Sequence, residues 1–256
     1  MLLACVLEPR AAAAQTLTTI RLSLSDVSLF ADAALLQQQP PTRPAVAPES
    51  SSRHTNVTAA IVDSLKLLSI EHAIRITFQE KTRKALRGPF WTDYGNSVRV
   101  PHQWEDTDAW YVNYIGHPIH GAAAGYNWLD HGPDGTVPFG RSPRYWSGRA
   151  RAMAWAAAYS LQFELGPLSE ASIGNVGMQP NTTGWVDHVV TPVGALGLMV
   201  AEDALDRYFV EWIERRSGNR ILRASLRMLF NPARTLSNTA RGREPWRRED
   251  RPIGWR

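Results

Sequence analysis

The chain holds one cysteine, Cys5. No internal disulfide can form, so a disulfide scaffold is excluded, although an oxidising compartment is not. There is no internal repeat and no stretch of strong polar–apolar alternation, so neither a repeat array nor a half-buried sheet is indicated. A membrane-spanning helix needs about 20 mostly apolar residues. The 21 residues between Asp108 and Asp130 carry no formal charge, but they include two histidines, two asparagines and a proline. The 13 residues between His188 and Glu202 are also uncharged, and are too few. With a mean hydropathy of −0.28, these gaps favour a water-soluble bundle. Zinc-protease helices carry HExxH, whereas the histidine pair here is His117-Pro-Ile-His120.

What is present fits a folded helical protein. Hydrophobic residues make up 44% and charged residues 20% of 256 positions, enough apolar material for a core. Ten tryptophans suit either a packed interior or an interface. The net charge of +4 is unevenly placed: residues 215–256 carry twelve arginines against three acids, so residues 1–214 carry −5. The basicity belongs to the C-terminal segment.

The first residues, "MLLACVLEPRAAAAQT", read as a truncated signal peptide over 1–15, with small alanines where cleavage needs them. Cys5 within Leu-Leu-Ala-Cys is the alternative, a lipidation site tethering the chain to a membrane. Residues 16–56 form a linker expected to be largely disordered, ending in the Pro-, Ser- and Gln-rich "QQQPPTRPAVAPESSSRHTN".

The remainder predicts an all-α fold of four to six helices over residues 57–234, followed by a basic tail, 235–256. The first helix places Ile61, Leu65, Leu68, His72 and Ile76 on one stripe, the face expected to meet the core. The Ala-rich "RARAMAWAAAYSLQFELG" predicts a second, stopped at Gly166-Pro167. Thr191-Pro192 is read as the start of a third, covering 192–216. Gly121 and Gly125, with Gly194, Ala195 and Gly197, supply small-residue contacts between helices. Arg216, Arg220, Arg223 and Arg227 share one face of a last helix, opposite Leu222, Leu226 and Leu229. Such a helix reads first as a solvated charged face, with an anionic membrane surface as the alternative.

Pro118 belongs in a first helical turn, which puts His117 at the cap and His120 one turn on. Glu164 ends an otherwise uncharged helix, and Asp187 precedes "HVVTPVG". Buried carboxylates are costly unless paired or bound to metal. Two readings stay open. The four residues His117, His120, Glu164 and Asp187 form a hydrogen-bonded polar core that fixes packing. Alternatively they hold a divalent metal such as zinc, with Glu170 as general base of a hydrolase acting on an envelope lipid or peptide. Asp203 and Arg207, four apart, are expected to form an ion pair.

The ordered set "NYIGHPIHG", "SLQFELGPLSE", "DHVVTPVGALG", "EDALDRY" and "NPAR" resembles an uncharacterised family of bacterial envelope proteins with an HPxxG element. The resemblance spans roughly residues 90–234 and extends distantly to VanZ-like membrane proteins. It implies an exported or membrane-associated helical domain and no known reaction. Glu202 to Arg207 also fits the EExxxR pattern of CAAX-protease-like proteins. That family's histidines follow the motif, whereas both members of this pair precede it. The expectation is therefore a periplasmic or envelope protein, structural or binding rather than enzymatic. Its partner would be a membrane surface or an envelope protein, not nucleic acid.

Overall fold

The computed structural model describes residues 54–78, 80–86, 89–99, 103–106, 108–173 and 184–254. Cys5, the segment expected to be a signal peptide and nearly all of the expected linker lie outside the described residues. The fold is all-α, and no strand occurs among the described residues. The helices are α1 (Val57–Phe78), α2 (Glu80–Ala85), α3 (Phe90–Arg99), α4 (His117–Asp130), α5 (Pro143–Leu165), α6 (Glu170–Ile173), α7 (Trp185–Leu205), α8 (Glu211–Glu214), α9 (Arg220–Phe230) and α10 (Pro232–Ala240).

Local chemistry sets most of the boundaries. Asn56 caps α1 by accepting a bond from the Ala59 amide at 3.1 Å. Ser142 accepts from the Tyr145 amide before Pro143 at the start of α5, and Gly166 ends that helix. Asn219 caps α9 through the Leu222 amide.

Helix α4 is central and packs against α5, α7 and α10. Its contact with α7 is made of small residues. Gly121 faces Thr191 and Ala195, Gly125 faces Met199, and Gly194 receives the ring of Pro118. Gly197 faces outward with nothing within 4 Å. One apolar cluster joins Ala122, Tyr126, Leu129, Ala152, Ala156, Ala195, Met199 and Ala233. A second joins Leu67, Leu68, Ala123, Ala124, Tyr159, Phe163 and Ala240.

Two π-helical turns shape the bundle. Val112–Gly116 runs directly into α4, and the His117 amide bonds back to the Val112 carbonyl, five residues earlier. This wider turn leads into Pro118, which has no amide hydrogen to offer. Asp206–Val210 joins α7 to α8 in one continuous helical run.

Several expectations are corrected. Helix α7 starts at Trp185, seven residues before Pro192, which sits inside it. Its first amides are satisfied from outside: Trp185 and Val186 donate to the carbonyls of Gln103 and Trp104 at 2.6 and 3.0 Å. The expected inward stripe of α1 is split. Leu68 and His72 are buried, but Ile61 and Leu65 are 45% and 43% exposed, while Asp63 and Ser64 on the other side are buried.

Asp203 and Arg207 are not partners. Asp203 points inward to Arg149 (2.7 Å to Nε), Tyr145 (2.8 Å) and Arg234 (3.2 Å). Arg207 is half-exposed, 3.7 Å from Glu211. The π-helical turn beginning at Asp206 widens the helix between the two positions, so four-residue spacing no longer aligns them.

The C-terminal segment is not a free basic tail. Arg227, expected on an open basic face, is fully buried and held bidentately by Glu214 at 2.5 and 3.0 Å. It also donates to the carbonyls of Trp246 and Arg251. Arg251 pairs with Asp206 and Glu214, and Arg241 with Asp63 and Asp130. Glu202 accepts from the Ala233 and Arg234 amides at 2.7 and 3.2 Å, which caps α10.

A candidate metal centre inside an apolar exterior

Three helices bring their polar residues to one place. His117 comes from the first turn of α4, Glu164 from the last turn of α5 and Asp187 from the first turn of α7. All three are buried, and one ligating atom from each lies within 4.8 Å of the other two. His117 Nε2 stands 3.3 Å from Asp187 Oδ1. Its other ring nitrogen meets the Thr191 hydroxyl at 3.1 Å, which fixes the ring plane. Asp187 and Thr191 are four apart on α7 and so share a face. The early start of α7 creates that pairing.

Arg75 and Asp106 complete the surroundings. Asp106 accepts from Asn113 Nδ2 at 2.7 Å and is hydrogen-bonded to Asp187. Asn113 belongs to the π-helical turn before α4. Arg75 on α1 is the nearby cation, and it forms an ion pair with Glu170. His120 lies beside the trio, its ring 4.7 Å from that of His117 and its Nδ1 3.8 Å from Glu71 Oε2. Tyr159 donates to the same Glu71 oxygen at 2.7 Å.

Acids outnumber bases here, and burial sets the protonation. Desolvation pushes the His117 imidazole down to about 4, with Asp106 opposing and Arg75 adding to the effect. His120 is also lowered, by burial first and then by His117 and Arg75. Both rings are neutral near pH 7. Burial raises Glu71 to about 8 against the pull of Tyr159 and Arg75. Glu164 and Asp187 are both raised. Burial is the main cause for each, and Asp106 adds like charge to both. Asp106 is lowered despite its burial, because Asp187, Asn113 and the Asp108 amide bond to it.

Several buried polar atoms here stay unsatisfied, Glu71 Oε1 and Asn113 Oδ1 among them. Asp187 Oδ1 is buried without a hydrogen-bond partner, since its approach to His117 lacks hydrogen-bond geometry. His120 Nε2 is likewise buried and unpartnered. Buried polar atoms are normally paired, so such exceptions call for a reason.

The sequence-predicted set is thus partly assembled. His117, Glu164 and Asp187 converge, and His120 adjoins them. Glu170 is engaged by Arg75, and Asp203 belongs to a separate arginine–tyrosine network. Asn113, read with the histidine pair, does lie beside them through Asp106, whereas Glu71, Arg75, Asp106 and Thr191 were missed. Glu71 and Arg75 carried a faint signal, an acid–base pair four apart on one helix face. Asp106 sits in an irregular segment without periodicity, and nothing local marks it.

The exterior has the opposite character. From 185 to 205, the exposed residues of α7 are Trp185, Val189, Val193, Gly197, Ala201 and Leu205, while Asp187, Glu202 and Asp203 face inward. On α5, Ala154, Ala158 and Leu161 are exposed in the second half, with Arg144 and Arg151 exposed in the first, while Arg149 and Glu164 are buried. The run Trp185–Glu214 is, by length and composition, long and apolar enough to cross a membrane.

Comparison with family models, curated proteins and solved structures finds no match.

Proposed function

We propose that the chain is a membrane-associated helical protein of the bacterial cell envelope, with a binding or structural role. Its apolar exterior lies against lipid and its polar residues form an enclosed centre. The observation that carries this reading is the inverted polarity of α7, whose exposed stripe from Trp185 to Leu205 holds no charge while its buried face holds three carboxylates. In water such a stripe would be an exposed patch of the kind that marks a membrane or protein contact. Its outer face begins at Trp185 and continues past Leu205 to Tyr208 and Trp212, and such aromatics favour a membrane–water interface.

The envelope assignment rests on the signal-like start and on the motif resemblance. Nucleic acid is not the proposed partner. Many arginines of the basic segment are already held in ion pairs, among them Arg227, Arg234, Arg241 and Arg251. The hydrolase reading required Glu170 as base. Its pairing with Arg75 supports the non-enzymatic reading instead.

Fractionation of cells expressing the full gene tests the proposal. The protein is expected in the membrane fraction, retained in high salt because the contact is apolar, and released by detergent. Recovery as a soluble monomer without detergent would overturn it.

A further inference from the structure

We propose that His117, Glu164 and Asp187 bind one divalent transition-metal ion. The inference goes beyond lipid association and does not depend on it.

The geometry is the first support. Two ligands at 2.0–2.1 Å from a tetrahedral ion stand about 3.3 Å apart, and His117 Nε2 and Asp187 Oδ1 are 3.3 Å apart. The wider pairs, within 4.8 Å, close onto an ion by side-chain rotation. The three ligands come from three different helices, so their positions are set by the packing of the whole bundle.

The second support is the unsatisfied oxygen. Asp187 Oδ1 is buried beside the other two ligands with no hydrogen-bond partner. A cation supplies the missing interaction.

The third is the balance of formal charge. Glu164, Asp187 and Asp106 gather around one imidazole, and the nearby guanidinium of Arg75 is shared with Glu170. Buried carboxylates are stabilised by pairing or by metal coordination. The donor set selects the class of ion. One imidazole nitrogen with two carboxylates suits Zn²⁺, Mn²⁺ or Fe²⁺, whereas Mg²⁺ and Ca²⁺ prefer all-oxygen sites. Thr191 acts as a positioning residue, since its hydroxyl orients the His117 ring through the opposite nitrogen.

The test uses the full chain purified in detergent, stripped with chelator and titrated separately with Zn²⁺ and Mn²⁺. Calorimetry and elemental mass spectrometry read the stoichiometry, and Co²⁺ substitution reads the ligand field. The expected result is about one ion per chain, with affinity reduced roughly tenfold or more in Asp187→Asn and in Glu164→Gln. Glu249→Gln, on the exposed surface, is expected to bind as the parent does. The Co²⁺ spectrum of the parent is expected to show imidazole coordination that His117→Ala removes. If a variant fails to fold, the parent decides. A folded parent that takes up neither Zn²⁺ nor Mn²⁺ stoichiometrically overturns the proposal, as does a Co²⁺ spectrum matching the free aqueous ion. Binding unchanged in both folded carboxylate variants overturns it too.

Discussion

Gly121 lies so close to Thr191 that a β-carbon there would stand 2.7 Å from the threonine Cγ2 and 2.9 Å from its carbonyl oxygen. The same threonine holds the His117 ring at 3.1 Å. The closeness of α4 and α7 thus places the histidine against Asp187. A backbone oxygen cannot move aside as a side-chain tip can. Gly121→Ala is expected to destabilise the protein by about 1–3 kcal/mol, even though alanine favours a helix interior. Gly197→Ala has open space around it and should stabilise by roughly 0.5–1 kcal/mol. Denaturation of both variants in the same detergent checks this. Equal effects would contradict close helix packing as the reason for Gly121.

The C-terminal segment is tied down through Arg227. Arg227→Ala leaves Glu214 buried without its bidentate partner, although Arg251 still reaches it. Breaking a buried pair typically costs about 3–5 kcal/mol, and a loss in that range is expected. Arg207→Ala removes a half-exposed arginine 3.7 Å from Glu211 and should change stability by less than about 0.5 kcal/mol. Thermal melts of the two variants measure the contrast. Limited proteolysis should also release residues 241–254 faster in Arg227→Ala.

Asp63 links three parts of the chain and predicts a response to acid. It accepts bonds from Lys66, His131 and Arg241 at 2.7, 2.6 and 3.0 Å. Burial raises its pKa, but these three partners outweigh burial and hold it below the ordinary 3.8. The unfolded chain binds this proton more tightly, so the stabilisation is present above pH 3.8 and is lost as pH falls through the folded value. Asp63→Asn is therefore expected to be less stable than the parent at pH 6, with the gap narrowing below about pH 4. Paired denaturation curves from pH 6 to 3 check it. A gap that stays constant throughout would contradict the ion-pair account.

Much of the framework was legible locally. Gly166 ends α5, Pro143 opens it, and the Gly and Ala positions on α4 and α7 do bring those helices together. His117, Glu164 and Asp187 stood out because each interrupts a weakly charged stretch. The facing of the helices was not legible. The apolar stripe through Ile61 and Leu65 reads as a core face, yet those residues are exposed. Arg227 read as solvated because its partners, Glu214 and the Trp246 and Arg251 carbonyls, come from other segments. Asp203 was assigned to Arg207 because regular α-helical spacing was assumed, and the π-helical turn at Asp206–Val210 leaves no clear local mark in the sequence.

The lipid-facing assignment of α7 is the central claim, and a depth measurement tests it most directly. A nitroxide label is placed singly through Val193→Cys, on a Cys5→Ser background, with the protein in liposomes. Val193 is 61% exposed at the middle of the apolar stripe. Collisions with oxygen, which concentrates in lipid, are compared with collisions with a water-soluble nickel chelate. The account predicts strong oxygen broadening and little effect of nickel at position 193, with the reverse for Arg207→Cys. Equal access of nickel to both positions would contradict it.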